Sequence, residues 1–179
     1  MKRHERHPAA TYRALFATGL GVGGVVASDE GVVAVYLPFD GADREAMTAK
    51  IAARYPAAAQ ENPVTVKAAD LLARYFAGEP VTFDVPIDTG GFTPFQWAVY
   101  EAVRAIPAGE VRSYSQVAAA IGRPRAARGI GGAMARNPLP VIIPCHRVVG
   151  KSGGMTGYSA PGGIGSKRWL LTMEKMVSG

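Results

Sequence analysis

The sequence predicts an α+β protein with two domains, the first made of strands and helices and the second built around a helix-turn-helix. Three observations support this fold class: apolar runs typical of strands come first, amphipathic helical patterns follow, and two short helical patterns joined by a glycine turn occupy the second half. We expect a first domain at residues 1–88, a linker at 86–92 and a second domain at 93–179. A length of 179 residues with 48% hydrophobic and 19% charged residues suits folded domains of this size.

The first elements are predicted to be strands. Residues 12–18 are expected to form one strand, and two apolar runs around the turn Asp29-Glu30-Gly31 predict a β-hairpin over about residues 23–37. The basic start and the uncharged stretch 14–28 superficially resemble a secretory signal, but four glycines in that stretch would break the helix of such a signal. No apolar run reaches the ~20 residues needed to span a bilayer, so we expect a soluble, cytoplasmic protein without membrane contact.

Two helices and a further strand complete the predicted first domain. Asp43 caps a helix that reaches Tyr55, and Asn62 caps a second helix that ends at Gly78. This domain holds no evident set of catalytic side chains. An alternation of apolar and polar residues predicts one more strand, which contains Val81, Phe83 and Val85.

The second domain is predicted to contain three helices. Thr93 opens the first with a capping box, and Ser113 opens a second, short helix that ends at about Ile121. A third helix is expected to begin near Pro124 and to end before Asn137. The second and third helices have the outline of a helix-turn-helix, which by itself leaves DNA binding and ordinary helix packing equally open.

Charge is distributed unevenly between the two halves. Residues 1–92 hold nine Lys and Arg against eleven Asp and Glu, a net charge of −2, whereas residues 93–179 hold eleven against three, a net charge of +8. Such an asymmetry favours a polyanionic partner, of which nucleic acid is the commonest, over an ordinary solvated basic surface. The basic half is therefore the half expected to bind DNA.

The third helix of the second domain is rich in small residues, among them Gly129, Gly131 and Gly132. A glycine costs ~1 kcal/mol relative to alanine inside a helix, so a close approach by another group would explain their presence. That group is either DNA or another helix of the core, and composition leaves both open.

Cys145 is the only cysteine of the chain, which excludes a disulfide scaffold and a cysteine-rich zinc module. The apolar residues 141–143 predict a buried strand that leads into it. A cysteine next to His146 and Arg147 favours the nucleophilic thiolate, whereas a free cysteine elsewhere is usually a small buried hydrophobic residue. On extended backbone His146 would point away from Cys145, so a bridging water or a turn is required for the two to interact.

The hexapeptide 144–149, Pro-Cys-His-Arg-Val-Val, resembles the active-site motif of the O6-alkylguanine-DNA alkyltransferases, also called methylated-DNA–protein-cysteine methyltransferases. The resemblance is strong over residues 92–175, whereas residues 1–88 agree only in coarse architecture. Further segments in the family's order are 92–97, 109–114, 125–128, 137–138, 157–159 and 167–171, followed by Glu174.

The resemblance implies a ribonuclease H-like first domain and a winged-helix second domain. It also implies DNA repair, in which an alkyl group passes irreversibly from O6-alkylguanine, and from O4-alkylthymine, to Cys145. Because a thioether has no good leaving group and the chain has no second thiol, each molecule should act once. The expected partner is double-stranded DNA, bound in the minor groove without sequence preference by a monomer, singly or cooperatively, and on the nucleoid if the source is prokaryotic.

By this resemblance, Cys145 is the nucleophile, His146 acts on it as a base through a water, and Glu174 orients His146. Asn137 holds the active-site turn, and Tyr114 donates a hydrogen bond to N3 of guanine. Without the resemblance, Glu174 would be taken for a solvated helix carboxylate and Tyr114 for a tethered core aromatic.

The resemblance also assigns residues that bind the damaged base and the DNA. Arg128 is expected to fill the gap that the extruded nucleotide leaves in the base stack, and the backbone N–H of Ser159 to support O6 of guanine. The pocket around the extruded base is expected to contain Met134, Val148, Val149, Tyr158 and Ser159. Further contacts to substrate or DNA are expected from Ser113, Arg125, Arg136 and Lys167.

No metal or organic cofactor is implied. The chain departs from the family pattern at Gly129-Ile130 and at Arg123, a position where a better helix cap is common. It also departs at Pro161, and this departure leaves the preference for alkyl-group size open. Three other functions compete with the transferase. They are a noncatalytic lesion-binding protein, against which the presence of Cys145 argues, a winged-helix transcription regulator, and a cysteine hydrolase.

Overall fold

The computed structural model describes residues 11–155 and 158–178. Gly157 of the sequence motif and the basic residues 1–6 lie outside the described residues. The chain divides into two compact units, Met1–Phe92 and Thr93–Gly179, which we call the first and second units. The mixture of strands and helices confirms the predicted α+β class.

The first unit contains a three-stranded antiparallel sheet in the order β1-β2-β3. Its strands are β1 (Tyr12–Thr18), β2 (Gly21–Ala27) and β3 (Val32–Tyr36). The predicted hairpin is therefore confirmed as β2 and β3.

Two helices follow the sheet. Helix α1 (Arg44–Arg54) begins at Asp43, whose carboxylate accepts a hydrogen bond from the backbone N–H of Ala46 at 2.8 Å. Helix α2 (Pro63–Phe76) begins at Asn62 with a reciprocal capping box. Both predicted caps are confirmed, because a cap depends on a few consecutive residues and is readable locally.

One buried apolar cluster of the first unit lies between the sheet and α1. Val26 of β2 and the α1 residues Met47 and Ile51 are fully buried. A Cβ atom added to Gly24 would lie 2.6 Å from the Cδ1 atom of Ile51, so a side chain at this position would require Ile51 to move.

The strand predicted at residues 81–85 is wrong. The alternation is real, since Val85 is buried and its neighbours are exposed, but the segment pairs with no strand of the sheet. Pairing is confined to a single parallel bridge between Ile87 and Val32, in which the N–H of Val32 donates to the carbonyl of Pro86 at 2.9 Å. Burial of alternate side chains on extended backbone thus imitates a strand in sequence.

The segment predicted as a linker, residues 86–92, is attached to the first unit by hydrogen bonds. The buried carboxylate of Asp88 accepts from the hydroxyl of Ser28 at 2.5 Å and from the N–H of Gly90 at 2.9 Å.

The second unit is mainly helical. The capping boxes predicted at Thr93 and Ser113 are both confirmed. Within the described residues no helix combines the length and the apolar character that crossing a membrane requires. The elements of this unit are α3 (Pro94–Arg104), β4 (Arg112–Ser113), α4 (Tyr114–Ala120), α5 (Ala127–Ala135), β5 (Val148–Val149) and α6 (Gly163–Ser178).

Helix α5 begins three residues later than predicted. Pro124 lies in a turn that the N–H of Ala126 closes onto the carbonyl of Arg123 at 2.9 Å, and α5 starts after it without a side-chain cap. A proline suits the second position of such a turn as well as the first turn of a helix, so the sequence could not separate the two.

Candidate active site

The residues before Cys145 form a buried turn, so the strand predicted at 141–143 is wrong. Pro140 and Pro144 flank the segment, and neither has the N–H that a strand ladder needs. Val141 has a φ of 75°, an unusual conformation for a β-branched residue. The turn is closed by a hydrogen bond from the N–H of Ile143 to the carbonyl of Leu139 at 2.8 Å.

Asn137 holds this turn with both ends of its side-chain amide. Its Nδ2 atom donates to the carbonyl of Ile143 at 2.9 Å, and its Oδ1 atom accepts from the N–H of Leu139 at 2.9 Å. The same side chain also interacts with Cys145. Asn137 therefore bridges the end of α5, the turn and the cysteine.

Cys145 and His146 lie in a short 3-10 turn, Cys145–Arg147, and both are buried. Burial raises the pKa of the Cys145 thiol, although Asn137 and the charge of Lys167 oppose the shift. Burial thus opposes the thiolate that the flanking residues predict, whereas Asn137 and Lys167 favour it. The residues next to Cys145 in the sequence are a poor guide to its ionisation, because the guanidinium of Arg147 contacts Glu174.

Glu174 of α6 is the group to which Arg147 is directed. Arg147 donates from Nε to Glu174 Oε2 at 3.0 Å and from its terminal nitrogen to Oε1 at 2.8 Å, and it also donates to the carbonyl of Ile106 at 2.6 Å. The N–H of Gly109 donates to Glu174 Oε2 at 3.3 Å. Glu174 is thus a buried carboxylate with its charge matched, and not the solvated carboxylate that its sequence setting alone suggests.

His146 contacts Glu174 directly, with Nε2 at 2.7 Å from Oε1. Burial lowers the pKa of His146, and Glu174 opposes that shift without overcoming it. A neutral imidazole that donates Nε2–H to the carboxylate presents a lone pair at Nδ1, which is the form of a general base.

Two residues of this network were missed by sequence reasoning as parts of the site. Arg147 was expected to act through its charge beside Cys145 and as part of the segment 144–149, and Gly109 was placed only within the segment 109–114. A buried carboxylate needs more than one partner. The spacing of residues 109, 147 and 174 in the sequence does not indicate that they are in contact.

The short parallel pair of β4 and β5 joins the cysteine turn to α4. Val148 and Val149 are buried and pair with Arg112 and Ser113. The hydroxyl of Ser113 is engaged as the cap of α4, where it accepts from the N–H of Gln116 at 3.1 Å. These contacts place the next residue, Tyr114, within the same part of the unit.

Met134 is a residue of α5, and Tyr114 and Ser159 lie next to this helix. Tyr114 is half-buried, and a Cβ atom added to Gly131 would lie 4.0 Å from its ring. Met134 is buried on α5, and the hydroxyl of Ser159 donates to the carbonyl of Ala135 at 3.0 Å. The structure thus brings Tyr114 and two of the predicted pocket residues, Met134 and Ser159, to one helix.

The predicted basic contacts fall into two groups. Arg125, Arg128 and Arg136 are exposed, but only Arg128 lies within α5, because Arg125 precedes the helix and Arg136 caps its end. The helix predicted from about Pro124 to the residue before Asn137 would have carried all three arginines, and this expectation is wrong. Arg123, which sequence reasoning treated only as a poor cap, lies with its guanidinium 5.8 Å from the ring centre of Phe95.

The glycines of α5 face side chains of their own unit. A Cβ atom added to Gly129 would lie 3.0 Å from the ring of Phe95, and one added to Gly132 would lie 3.4 Å from the Arg136 guanidinium. Packing within the unit therefore accounts for Gly129, and the alternative of close approach by DNA is not needed to explain it.

Lys167, for which a contact to substrate or DNA was predicted, lies inside the unit, so only the contact to substrate stays a prediction. Its side chain on α6 is buried, and Nζ donates to the carbonyl of Val148 at 2.7 Å. An ammonium inside the unit cannot reach a phosphate outside it. Within the described residues, no group of three or more His, Cys, Asp or Glu side chains is arranged to hold a metal ion.

A family model described as 6-O-methylguanine DNA methyltransferase, DNA binding domain, matches residues 94–176. The methylated-DNA–protein-cysteine methyltransferase of Salmonella typhimurium is 50% identical over 105 residues, which is 59% of this chain and 60% of that protein. The match thus spans less than two thirds of that relative's length.

Two solved structures are similar over a longer range. The O6-methylguanine methyltransferase of Mycobacterium tuberculosis has 34% identity and a TM-score of 0.73, with 94% of each chain covered. A structure of Mycobacterium tuberculosis OGT in complex with DNA also has 34% identity and a TM-score of 0.73, with 93% of this chain and 94% of that chain covered. Because such identity extends over nearly all of a solved relative, the chain belongs to the methylated-DNA–protein-cysteine methyltransferase family.

Proposed function

We propose that this protein removes an alkyl group from O6 of guanine in double-stranded DNA and transfers it irreversibly to the sulfur of Cys145. The observation that carries the proposal is the placement of the chain's single thiol, held by Asn137 and preceding a His146–Glu174 pair whose nitrogen and oxygen are 2.7 Å apart. The name of the Mycobacterium tuberculosis relative supports the same substrate.

The thiol must first lose its proton, and burial opposes this ionisation because it raises the pKa of Cys145. His146 donates Nε2–H to Glu174 and can accept a proton at Nδ1 through a water, as a general base does. Glu174 stabilises the imidazolium that forms, and Arg147 and Gly109 hold Glu174 in place.

The thiolate then attacks the alkyl carbon. The new bond joins sulfur to that carbon, while the carbon–O6 bond breaks and leaves its electron pair on guanine. Tyr114 and the backbone N–H of Ser159 donate hydrogen bonds to the leaving base, which ends with the proton that the thiol lost. The product is a neutral thioether, so each molecule acts once. We include O4-alkylthymine as a substrate, because it has the same alkyl–oxygen bond.

The alkylated base must leave the stack to reach a buried sulfur. We propose that Arg128, exposed on α5, enters the gap from the minor groove, and that Met134, Val148, Val149 and Tyr158 surround the extruded base. Arg125 and Arg136 flank α5 and contact phosphates. Because phosphate contacts carry no sequence information, we expect binding without sequence preference and an affinity that falls as the salt concentration rises. The binding species is proposed to be a monomer.

We also propose that the fold is ribonuclease H-like in the first unit and winged-helix in the second, and that the protein is located in the cytoplasm.

Incubation with duplex DNA containing O6-methylguanine tests the proposal. We expect one methyl group on the peptide that contains Cys145, one lesion repaired per molecule, and no transfer by Cys145→Ala, which should still bind the lesion. Intact-protein and peptide mass spectrometry measure both. An unmodified Cys145 would favour a noncatalytic lesion-binding protein, and repair beyond one lesion per molecule would favour a hydrolase. Either result would refute the transferase.

A further inference from the structure

Residues 158–163 of the second unit, which we call the rim segment, contain a tight turn. The N–H of Gly163 donates to the carbonyl of Ala160 at 3.0 Å and closes this turn. Gly162 and Gly163 have φ angles of 83° and 53°, which glycine adopts without strain. Pro161 precedes them, and its ring fixes its own φ. The proposed reaction assigns no role to Pro161, although this residue departs from the family pattern.

Ser166 attaches the rim segment to the first turn of α6. Ser166 is buried, and its hydroxyl donates to the carbonyl of Pro161 at 2.5 Å. The same hydroxyl lies 3.3 Å from the carbonyl oxygen of Gly163. Because a hydroxyl donates a single hydrogen, the bond to Pro161 is the stronger of the two. Ser166 therefore fixes the distance between the turn and α6.

The other end of the rim segment is attached to α5. The hydroxyl of Ser159 donates to the carbonyl of Ala135, the last residue of that helix, at 3.0 Å. Ser159 and Ser166 thus hold the rim segment at two points on two different helices. A segment opens locally only at the cost of the contacts that the opening breaks, so these two hydroxyls oppose an outward movement of the turn.

The inner side of the rim segment lies towards the cysteine turn. The hydroxyl of Tyr158 is buried, and its ring centre lies 6.0 Å from the Nζ atom of Lys167. The same Nζ atom donates at 2.7 Å to the carbonyl of Val148, which directly follows the turn Cys145–Arg147. The proposed function places Tyr158 and Val148 around the extruded base. The rim segment therefore borders the pocket in which the alkyl group would lie.

We propose that Ser166 is a positioning residue that, through Pro161, holds the rim segment closed and restricts transfer to small alkyl groups such as methyl. A bulky group such as benzyl requires the rim segment to move outward, which breaks the bond from Ser166 to Pro161. The cost of that bond then falls on bulky substrates alone, and a selective penalty of this kind produces specificity. The inference rests on the proposed function for the identity of the leaving base, guanine.

The test compares transfer of a small and a bulky group to Cys145 in the full chain. The rates with the free bases O6-methylguanine and O6-benzylguanine are followed by peptide mass spectrometry, which reports on one sulfur because Cys145 is the only cysteine. We expect Ser166→Ala to raise the benzyl-to-methyl rate ratio about fivefold over the wild-type ratio, which corresponds to one hydrogen bond of about 1 kcal/mol.

Two further variants of the rim segment sharpen the result. Ser166→Thr keeps the hydroxyl and should therefore keep the wild-type ratio. Pro161→Gly keeps the carbonyl but removes the ring that fixes φ, so it should raise the ratio in the same direction as Ser166→Ala. If Ser166→Ala fails to fold, the ratio of Pro161→Gly decides.

A matched control separates the rim segment from a general loss of stability. Ser28 of the first unit is also buried and also donates its hydroxyl at 2.5 Å, in its case to Asp88. Ser28→Ala should lower the free energy of unfolding in urea and leave the benzyl-to-methyl ratio unchanged. A ratio that rises equally in Ser28→Ala and Ser166→Ala would contradict the role of the rim segment.

Two cysteine reagents probe the same pocket without guanine. Iodoacetamide and N-benzyl iodoacetamide both form a bond from the Cys145 sulfur to carbon while the carbon–iodine bond breaks and iodide leaves, but they differ in size. We expect Ser166→Ala to raise the rate of the N-benzyl reagent relative to that of the parent reagent, whereas Ser28→Ala should not.

The two pairs of probes distinguish failure of the inference from failure of the proposed function. Unchanged ratios for both pairs in Ser166→Ala and Pro161→Gly would overturn the inference, even if methyl transfer to Cys145 is observed. A raised reagent ratio, together with no transfer from either base or from alkylated duplex DNA, would refute the proposed function and leave the role of Ser166 at the pocket in place.

Discussion

The two units of the molecule use charged side chains in opposite ways. In the first unit the ion pairs lie at the surface, as in Lys50–Asp40 and Arg74–Glu79, where the paired atoms are 2.6 and 2.7 Å apart. In the second unit His146, Lys167 and Glu174 are buried. Exposed pairs contribute little to stability, whereas buried charges cost several kcal/mol each unless they are matched.

The difference indicates which unit carries the chemistry. The first unit folds around apolar residues such as Val26 and Ile51, and the charges of its surface pairs can be exchanged for other polar groups at little cost. Its buried carboxylate, Asp88, is hydrogen-bonded to Ser28 and takes part in no buried charge network like that of Glu174. The second unit retains buried ionisable groups that an apolar core of the same volume would not need. Charges kept at such a cost are expected where protons and electrons move.

Replacement of one arginine in the buried network should have the largest effect on stability. We expect Arg147→Met to lower the free energy of unfolding by about 3–5 kcal/mol, because it leaves Glu174 buried with less of its charge matched. Lys50→Met, which breaks a surface pair, should change it little. Urea unfolding followed by circular dichroism measures both. Similar losses in the two variants would abolish the distinction between the units.

Exposed arginines in the two units provide a second comparison. Arg128→Ala should slow methyl transfer from duplex DNA by at least about tenfold relative to transfer from the free base O6-methylguanine, because unstacking then lacks compensation. Arg44→Ala, at an exposed position of α1, should affect neither reaction. Neither variant should alter the urea midpoint. Equal slowing of both reactions in Arg128→Ala would contradict its role in the stack.

The smallest expected effect is a dependence of stability on pH. Burial lowers the pKa of His146 from its ordinary value of 6.5, so below that value the unfolded chain binds a proton that the folded chain does not. Stability is therefore complete above the ordinary value and falls as pH drops towards the lowered one, by at most about 1.4 kcal/mol per pH unit. His146→Gln should flatten this part of the profile in urea titrations. A profile that stays equally steep would place the titrating group elsewhere.

Features that depend on adjacent residues were predictable, and features that depend on distant ones were not. Asp43, Asn62, Thr93 and Ser113 each cap the helix that the sequence assigns to them. The turn before Cys145 was mistaken for a strand, because apolar composition records burial and not backbone direction.

The positions and partners of charged side chains were harder to predict than secondary structure. The sequence shows that the second half is basic, but it does not show that Arg147 turns to Glu174 or that Lys167 lies inside the unit. Both depend on where α6 packs, and a lysine in an amphipathic helix is ordinarily assigned to its solvated face. The residues that carry the proposed chemistry followed from the family resemblance, and their network of contacts followed from the structure.

The residue that follows Asn137 affects the chemical stability of its side-chain amide. Asparagine side chains age by deamidation, in which the peptide nitrogen of the next residue loses its hydrogen and closes onto the side chain. The next residue is Pro138, whose nitrogen carries no hydrogen, so this route is closed. Deamidation would put a carboxylate oxygen against the carbonyl of Ile143, where the amide now donates at 2.9 Å. The amide that holds the turn before Cys145 is therefore protected against this form of chemical ageing.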